Sequence, residues 1–396
     1  VLIFCFRQVR LYLFNPENDL ALADGGFSYC APPAAMCIAR DLATLPLWYV
    51  ASEDAVVLPG NEFGSYYQKM SQLFELPKVY TSAMQSSINS LVPWGWSAQM
   101  CHRFKSMGFC DAMLPSDANI DMIRALSNRK LTIDVLAALH NAGIDTPPLP
   151  EYFISLDDAV DFVNNHSRCV VKAPWSGSGK GIMWGIGRAE VPMVHFCKGV
   201  IKRQGGVICE HFLDAKMEFA MEFQACEDTL EFSGYSLFTA ENGTYTGNYL
   251  SSDAYIEAVI FQYINPEVIA KVKGMLCKIM QPLLKECSYN GHFGVDMMVY
   301  GTDDQFRLNP CMEINLRMNM GLVARRFYDK FVADGSKGVF SIKYFKNEGG
   351  ALHLHQELCR AHPLVIENGR VVKGYLNLSP VNNVSHYMAY AVLDAM

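Results

Sequence analysis

A strand that ends in a lysine and runs directly into a glycine-rich loop constrains this chain more than any other feature. The stretch spans residues 169–182 and reads CVVKAPWSGSGKGI. A loop with so little side-chain bulk lets backbone N–H groups approach a polyphosphate, while Lys172 at its base and Lys180 within it add positive charge. The pattern indicates nucleotide binding, although an isolated glycine-rich loop is as often an ordinary turn.

The spacing excludes two common nucleotide-binding loops. A Walker A loop has four residues between its first glycine and its Gly-Lys pair, and Ser or Thr after the pair. Pro174 stands at the first of these positions and Gly181 at the last. A dinucleotide-binding loop needs a glycine three residues after Gly179, where the chain has Ile182. The sequence therefore predicts neither a P-loop protein nor a plain Rossmann dehydrogenase.

Length and charge limit the class of protein. The chain has 396 residues, of which 51% are apolar and 18% charged, enough for a large core divided over two or three domains or subdomains. A net charge of −7 argues against nucleic acid as the main partner. The 13 cysteines stand singly, without C-x-x-C pairs, which is typical of free thiols in a reducing cytoplasm and disfavours structural zinc.

The apolar start of the chain is short. Residues 1–6 are followed by Arg7 and Arg10 and cannot span a membrane. We expect a soluble, cytoplasmic protein without a membrane partner, and whether an amino-terminal segment has been removed stays open.

The first 120 residues have the alternation of an α/β domain. Residues 9–14 predict a buried strand, residues 15–19 a polar turn, and the prolines at 32 and 33 the start of a helix that ends near residue 45. Short apolar runs at 47–50 and 55–58 predict two more strands, and hence a parallel sheet. Asn15 and Asp19 would lie at the carboxyl end of the first strand, where such sheets bind ligands, or form an ordinary capped turn.

The remaining chain divides into three further segments, predicted as 121–200, 201–330 and 331–396. Residues 118–143 predict a helical stretch, and the alternation in residues 218–223 places Glu218 and Glu222 on one face of a strand. Asn368-Gly369 predicts a hairpin near the carboxyl terminus. Other predicted elements are a helix at 156–164, a strand at 207–210, a loop or hairpin at 239–252, a helix at 266–286, and strands at 294–300, 305–308 and 311–315.

Two apolar segments carry oxygen-bearing side chains that would suit a magnesium ion. Asp296 lies in the first, and Glu313 and Asn315 lie two residues apart in the second, so that they share one face of a strand. A buried carboxylate needs a charged partner, and Mg²⁺ prefers oxygen ligands. A structural salt bridge between Glu313 and Arg317 is an equally good interpretation of the second segment.

Taken in order, these motifs resemble the ATP-grasp superfamily of carboxylate–amine and carboxylate–thiol ligases. The resemblance covers residues 121–321, about half the chain. It is carried by NRKL (128–131) leading to GIDTP (143–147), by VVK (170–172) with the glycine loop, by VICEHFL (207–213), by Asp296 and by EIN (313–315). It implies an α/β chain, α+β in its ATP-binding part, with the ATP-grasp fold behind an amino-terminal α/β domain. The segments are then a pre-ATP-grasp-like domain (1–120), a central subdomain with the loop, a subdomain with the metal site, and a carboxyl-terminal extension with a hairpin.

The resemblance also implies roles for single residues. Lys130 and Lys172 correspond to the two lysines that contact the ATP phosphates, and the loop closes over them. Glu218 corresponds to the ribose ligand, with Glu222 as the alternative. Glu210 would accept from the adenine amino group. Beside it, His211, Phe212 and Leu213 would line the purine, and the loop contributes Ser176, Gly177, Ser178, Gly179, Lys180 and Gly181.

Asp296, Glu313 and Asn315 correspond to the metal ligands for Mg²⁺, or for Mn²⁺ in its place. Arg317 corresponds to an arginine that orients the acyl phosphate or the carboxylate, and with Lys172 it is the predicted catalytic residue. Arg129-Lys130 stands where the family has Asp-Lys, which leaves open which cation reaches the phosphate.

The implied activity is ADP-forming ligation: a small-molecule carboxylate, activated by ATP as an acyl phosphate, is joined to an amine. Amino-acid or peptide-like substrates fit best. A kinase that stops at phosphoryl transfer, a thiol acceptor and an ATP-binding protein without turnover are the alternatives, and a homodimer stays open. The sequence identifies neither substrate.

Overall fold

The computed structural model describes residues 9–60, 63–177, 181–226, 229–241, 244–302 and 305–394, which form three sheets and twelve α-helices. Within these ranges no helix is long and apolar enough to cross a membrane.

The first sheet is parallel and has the strand order β3-β2-β1-β4. Its strands are β1 (Val9–Leu13), β2 (Ala55–Val56), β3 (Lys78–Val79) and β4 (Ile88–Pro93). The accompanying helices are α1 (Asn18–Asp24), α2 (Pro33–Asp41), α3 (Gly64–Ser71) and α4 (Ala98–Ser106). The predicted parallel α/β domain is confirmed.

The strand predicted at 47–50 is wrong. Leu45–Trp48 forms a 3₁₀ helix with Pro46 in its first turn, and its side chains are buried. The Trp48 indole donates to the carbonyl oxygen of Leu378 at 2.8 Å. A short apolar run does not distinguish a buried strand from a buried helical turn, and here the contact with the distant carboxyl-terminal segment accompanies the helical turn.

The second sheet is antiparallel and has the order β5-β8-β6-β7. Its strands are β5 (Glu151–Phe153), β6 (Cys169–Lys172), β7 (Ile182–Gly185) and β8 (Val207–His211), covered by α7 (Leu156–Asn165) and α8 (Val191–Gln204). The glycine loop joins β6 to β7. The helix predicted at 156–164 and the strand predicted at 207–210 are confirmed.

The single helical stretch predicted at 118–143 is divided into α5 (Asp117–Leu126) and α6 (Leu131–Asn141). No proline or glycine marks the break. At the break, the backbone N–H of Arg129 donates to the carbonyl oxygen of Pro174 at 3.0 Å. The connection between these helices therefore packs against the glycine loop.

The third sheet has nine strands in the order β13-β12-β9-β10-β11-β14-β17-β16-β15. The strands are β9 (Ala215–Cys226), β10 (Thr229–Glu241), β11 (Thr244–Leu250), β12 (Gly291–Tyr300), β13 (Arg307–Asn315), β14 (Lys337–Tyr344), β15 (Val365–Glu367), β16 (Arg370–Asn377) and β17 (Tyr387–Asp394). Its helices are α9 (Asp253–Ile260), α10 (Pro266–Glu286), α11 (Met320–Phe331) and α12 (Gly350–Ala361). The segment 239–252 is a hairpin, and the two strands predicted between 305 and 315 are one.

Strict alternation along β9 separates a core face from a polar face. Phe219 and Phe223 pack into the same buried cluster as Val272 and Leu276 of α10. Glu218 and Glu222 point to the opposite side, as predicted. The polar face of the large sheet lines the cleft described below.

The carboxyl-terminal segment completes the large sheet, since β14 to β17 continue it beyond β11. Asn368 and Gly369 have φ angles of 51° and 74°, as a type I′ turn requires, and they connect β15 to β16. The predicted hairpin is confirmed, whereas the boundaries of the four segments stay a prediction.

Candidate functional site

A cleft of about 590 Å³ lies between the small antiparallel sheet and the polar face of the large one. Strands β6 to β8 form one wall, and β9, β10, β12 and β13 form the other. Ten of the predicted site residues line it: Lys172, Glu210, His211, Phe212, Leu213, Glu218, Asp296, Glu313, Asn315 and Arg317. Residues predicted from separate motifs therefore share one cavity.

Lys172 and Glu210 form an ion pair at the end of the cleft beside the glycine loop. Their strands are antiparallel neighbours, and Lys172 Nζ lies 2.6 Å from Glu210 Oε2. The two side chains are only 9% and 15% exposed. Burial raises the pKa of nearby Glu218, while the positive charge of Lys172 opposes that rise. Lys172 is thus a buried cation facing a space bordered by acids.

The segment after β8 forms an apolar rim. The ring of Phe212 lies under the Arg168 guanidinium, with 3.4 Å between the ring centroid and Arg168 Cζ. The same ring contacts the Trp184 ring edge to face. The His211 ring turns instead toward His166, with 4.5 Å between ring centroids. Burial and then the charge of His166 lower the pKa of His211. Flat apolar groups beside the Glu210 carboxylate suit a planar heterocycle.

Asp296 and Glu313 lie directly opposite each other on β12 and β13. Asn315 Nδ2 donates to Asp296 Oδ2 at 3.0 Å. Burial, and then the charge of Glu313, raise the pKa of Asp296. Among the described residues no cluster of three or more His, Cys, Asp or Glu side chains could hold a metal. The available set is two carboxylates and one amide, which fits Mg²⁺ only if phosphate oxygens or waters supply the other positions.

Arg129, which is not among the predicted site residues, is a second buried cation next to the glycine loop. Its guanidinium donates to the carbonyl oxygen of Ala173 at 2.7 Å, to Ser176 Oγ at 2.6 Å and to the carbonyl oxygen of Ser176 at 3.0 Å. It also lies 2.7 Å from Glu313 Oε1. This one side chain connects the loop to the acidic strand.

Lys130, predicted to contact phosphate, does not line the cleft. It is exposed, and its ammonium lies 5.1 Å from the centroid of the Tyr152 ring. Of the two adjacent cations, it is the preceding residue, Arg129, that is buried and points inward.

Arg317 pairs with Asp19 of the amino-terminal domain. Nε and Nη2 donate to the two carboxylate oxygens at 2.7 and 2.6 Å. Burial lowers the pKa of the Arg317 guanidinium, but the charge of the neighbouring Asp19 carboxylate and its hydrogen bonds raise it. The pKa is raised overall. The interpretation of Glu313 and Arg317 as a salt bridge is wrong, since each has a different partner.

The described glycines of the loop lie so close to neighbouring side chains that a Cβ atom would not fit. A Cβ atom on Gly177 would lie 2.5 Å from Asp19 Oδ2, and one on Gly181 would lie 2.7 Å from the Ser176 side chain. Gly181 also has a φ of 92°, which favours glycine. Ser176 borders a small pocket shared with Glu313 and Arg317. The predicted residues Ser178, Gly179 and Lys180 lie outside the described residues.

Glu222 was considered only as an alternative ribose ligand, and the structure places it at the opposite end of the cleft. Four residues along a strand separate it from Glu218 by about 13 Å. Glu222 is 1% exposed and accepts from Asn319 Nδ2 at 2.7 Å. The alternation of β9 predicts which face of the sheet the Glu222 side chain lies on. Nothing in the sequence indicates that this side chain is almost completely buried.

Comparison with solved structures identifies the fold. N5-carboxyaminoimidazole synthetase from Staphylococcus aureus, complexed with ADP, has a TM-score of 0.50 at 12% identity, covering 99% of this chain and 95% of that one. Biotin carboxylase from Campylobacter jejuni has a TM-score of 0.52 at 9% identity, covering 98% and 88%. No family model matches the sequence, and no curated protein matches it significantly.

A third similar structure is the biotin carboxylase domain dimer of 2-oxoglutarate carboxylase from Hydrogenobacter thermophilus, in complex with MgADP, ADP and bicarbonate. Its TM-score is 0.52 at 10% identity, covering 98% of this chain and 87% of that one. At such identities the likeness shows the fold alone. The chain has the ATP-grasp fold, with an amino-terminal parallel α/β sheet followed by antiparallel sheets.

Proposed function

We propose that this protein is an ATP-dependent ligase that activates a small-molecule carboxylate as an acyl phosphate and joins it to an amine. The observation that carries the proposal is the order of groups along the cleft. The Lys172–Glu210 pair and the apolar rim lie at one end, and the acids of β12 and β13 lie beside Arg317. That order suits adenine, phosphates and an acyl group in turn. The Staphylococcus aureus and Hydrogenobacter thermophilus structures hold ADP, which supports a nucleotide here.

We assign the adenine to the region of Glu210 and Phe212, the ribose to Glu218, and the phosphates to Lys172 and the glycine loop. Arg129 replaces Lys130 as the second cation of this end, because its guanidinium already holds both Ser176 and Glu313. A planar guanidinium with several donors binds phosphate oxygens well.

Asp296, Glu313 and Asn315 would hold Mg²⁺. Burial and then the charge of Glu313 raise the pKa of Asp296, and a cation held between the two carboxylates would offset their repulsion. Bound there, the ion would neutralise charge on the β- and γ-phosphates. Asn315, already hydrogen-bonded to Asp296, keeps the carboxylate oriented.

The chain's own residues then position the reacting groups. The substrate carboxylate oxygen attacks the γ-phosphorus, the bond to the β-phosphate oxygen breaks, and ADP leaves with the electron pair. Arg317, fixed by Asp19, would hold the carboxylate and then the acyl phosphate. The amine next attacks the acyl carbon and inorganic phosphate leaves. Positioning and charge neutralisation are the main demands of the phosphoryl-transfer step.

The test is ADP release from Mg²⁺-ATP with a panel of amino acids and other small carboxylates, each with and without candidate amines. Hydroxylamine is added in a parallel series because it converts an acyl phosphate into a hydroxamate. A ligase gives carboxylate-dependent ADP release, a hydroxamate, and an amide with one of the amines. The Asp296→Asn variant should lose all three products.

Other outcomes would replace the proposal. A stable phosphorylated product and no amide would identify a kinase. ATP binding without ADP release across the panel would identify a binding protein without turnover.

A further inference from the structure

The inner end of the cleft, beyond the acids of β12 and β13, is built around a buried carboxyl group. Glu222 on β9 is 1% exposed, and its Oε2 accepts from Asn319, the N-cap residue of α11. Among the described residues, no side chain forms an ion pair with Glu222. A buried carboxyl group with one amide partner and open space beside it is costly to ionise.

Two glycines in the neighbouring backbone make room for the Glu222 carboxyl group. A Cβ atom on Gly294, its neighbour on β12, would lie 2.5 Å from Glu222 Oε2. A Cβ atom on Gly321 would lie 2.4 Å from Oε1 and 2.2 Å from Ser236 Oγ. Two glycines therefore allow Glu222 and Ser236 to lie against the start of α11.

The other groups at this end are uncharged and rich in oxygen. Asn248 Nδ2 donates to Ser236 Oγ at 2.6 Å, and the Tyr245 hydroxyl donates to Asn248. Ser236, Tyr245 and Glu222 all line the cleft. Tyr245 and Ser236 thus present hydroxyl oxygens as acceptors next to the carboxyl group.

The nearest cation of the cleft is already paired. Arg317 is held by both oxygens of Asp19, and Lys172 lies at the far end with Glu210. Burial raises the pKa of Glu222 to about 8, against the effect of the Asn319 hydrogen bond. A ligand cation would therefore gain both a charge partner and several acceptors at this place.

We infer that Glu222, Ser236 and Tyr245 form the subsite for the acceptor substrate and that they recognise a primary ammonium group. This inference rests on the proposed function, since it places the amine of that reaction. The position suits the role, because Glu222 lies on the same face of β9 as Glu218 but beyond the level of Asp296. A substrate carboxylate would be repelled there whenever Glu222 is ionised.

The test measures binding of two probes of equal size to the whole protein: propylammonium and propanol. Saturation-transfer NMR titrations are run at about pH 8, with and without Mg²⁺ and a nonhydrolysable ATP analogue. We expect propylammonium to bind about tenfold more tightly than propanol. Glu222→Gln, an isosteric change, should bring the two affinities within about twofold, while the matched surface change Glu286→Gln leaves the preference intact.

Equal affinities for propylammonium and propanol in the wild-type protein would overturn the inference. So would a Glu222→Gln variant that keeps the preference. The wild-type comparison needs no variant, and it stays decisive if Glu222→Gln does not fold. Failure of the proposed function appears separately, as absence of binding of the ATP analogue in the same samples.

Discussion

Asp19 and Arg317 lie 298 positions apart in the sequence and are joined by two hydrogen bonds of 2.7 and 2.6 Å. Asp19 belongs to the first helix of the parallel domain, and Arg317 follows the strand that carries Glu313 and Asn315. A guanidinium held at two points has little freedom to rotate. The amino-terminal α/β part of the chain therefore fixes the orientation of a cation that lines the cleft.

Asp19→Asn should remove the charge partner of Arg317 while keeping the shape of the side chain. We expect the free energy of unfolding to fall by about 1–3 kcal/mol and kcat to fall by about ten- to a hundredfold, because the guanidinium is no longer held in place. Urea unfolding and steady-state kinetics measure the two effects. Asp121→Asn, at an exposed position of α5, is the control and should change neither. Unchanged kcat in Asp19→Asn would show that the pair does not orient Arg317.

Gly177→Ala should disturb the same pair from the loop side, since its Cβ would lie 2.5 Å from Asp19 Oδ2. We expect a loss of about 1–3 kcal/mol of stability from overpacking. Gly274→Ala is the control, because nothing lies within 4 Å of its Cβ and it is inside α10. That change should stabilise the protein by up to about 1 kcal/mol.

A double-mutant cycle tests the cause of the Gly177 effect. In the Asp19→Ala background the Gly177→Ala change should be nearly neutral, because the clashing oxygen is gone. Chemical denaturation of the four proteins provides the comparison. An undiminished penalty in that background would place the clash elsewhere.

Arg129→Lys should be far more harmful than Lys130→Ala. A lysine cannot reproduce the guanidinium's bonds to Ala173, Ser176 and Glu313, so we expect a loss of about 2 kcal/mol or more and a raised KM for ATP. Lys130 is exposed over the ring of Tyr152, and its removal should change stability by less than about 0.5 kcal/mol. If Lys130→Ala alone raised the KM for ATP, Lys130 rather than Arg129 would be the phosphate contact.

Glu222 should make the unfolding free energy depend on pH. Its pKa is raised from 4.5 to about 8 in the fold, so its contribution is fully present below pH 4.5 and is lost as the pH rises through about 8. The charges of Asp296 and Arg317 act on it in opposite directions, and Tyr245 faces it from β11. Glu222→Gln stays neutral and should become more stable than wild type, by up to a few kcal/mol, between about pH 5 and pH 8.

Unfolding curves at a series of pH values measure this difference. Glu286→Gln, at an exposed position at the end of α10, should follow the wild-type curve. A constant difference between Glu222→Gln and wild type over the whole range would mean that Glu222 titrates at its ordinary pKa.

The sequence predicted the residues of the cleft well because strand geometry fixes where side chains point. Alternation along β9 places Glu218 and Glu222 on the same face of that strand, and alternation along β13 does the same for Glu313 and Asn315. Burial of the intervening apolar residues determines which face this is. The order of the motifs was sufficient to indicate the fold. Of the strands that carry these motifs, β6 pairs with β8 and β12 pairs with β13.

What the sequence did not predict depends on contacts between distant segments. The partner of Arg317 is Asp19, and no local pattern connects positions 298 residues apart. The break between α5 and α6 has no proline or glycine, and the backbone of Arg129 bonds there to Pro174. The 3₁₀ helix at Leu45–Trp48 is likewise accompanied by the bond from Trp48 to Leu378. Tertiary packing outweighs local preference at each of these places.

Calorimetric titration with Mg²⁺ and a nonhydrolysable ATP analogue, comparing the wild-type protein with Lys172→Ala, tests the central assignment most directly. Lys172 is buried in the cleft against Glu210, and its removal leaves that carboxylate without its positive partner. We expect binding to the wild-type protein and to Lys278→Ala, a surface control on α10, and binding at least about tenfold weaker in Lys172→Ala. Equal affinity of Lys172→Ala and wild type for the analogue would contradict the assignment of this cleft to ATP.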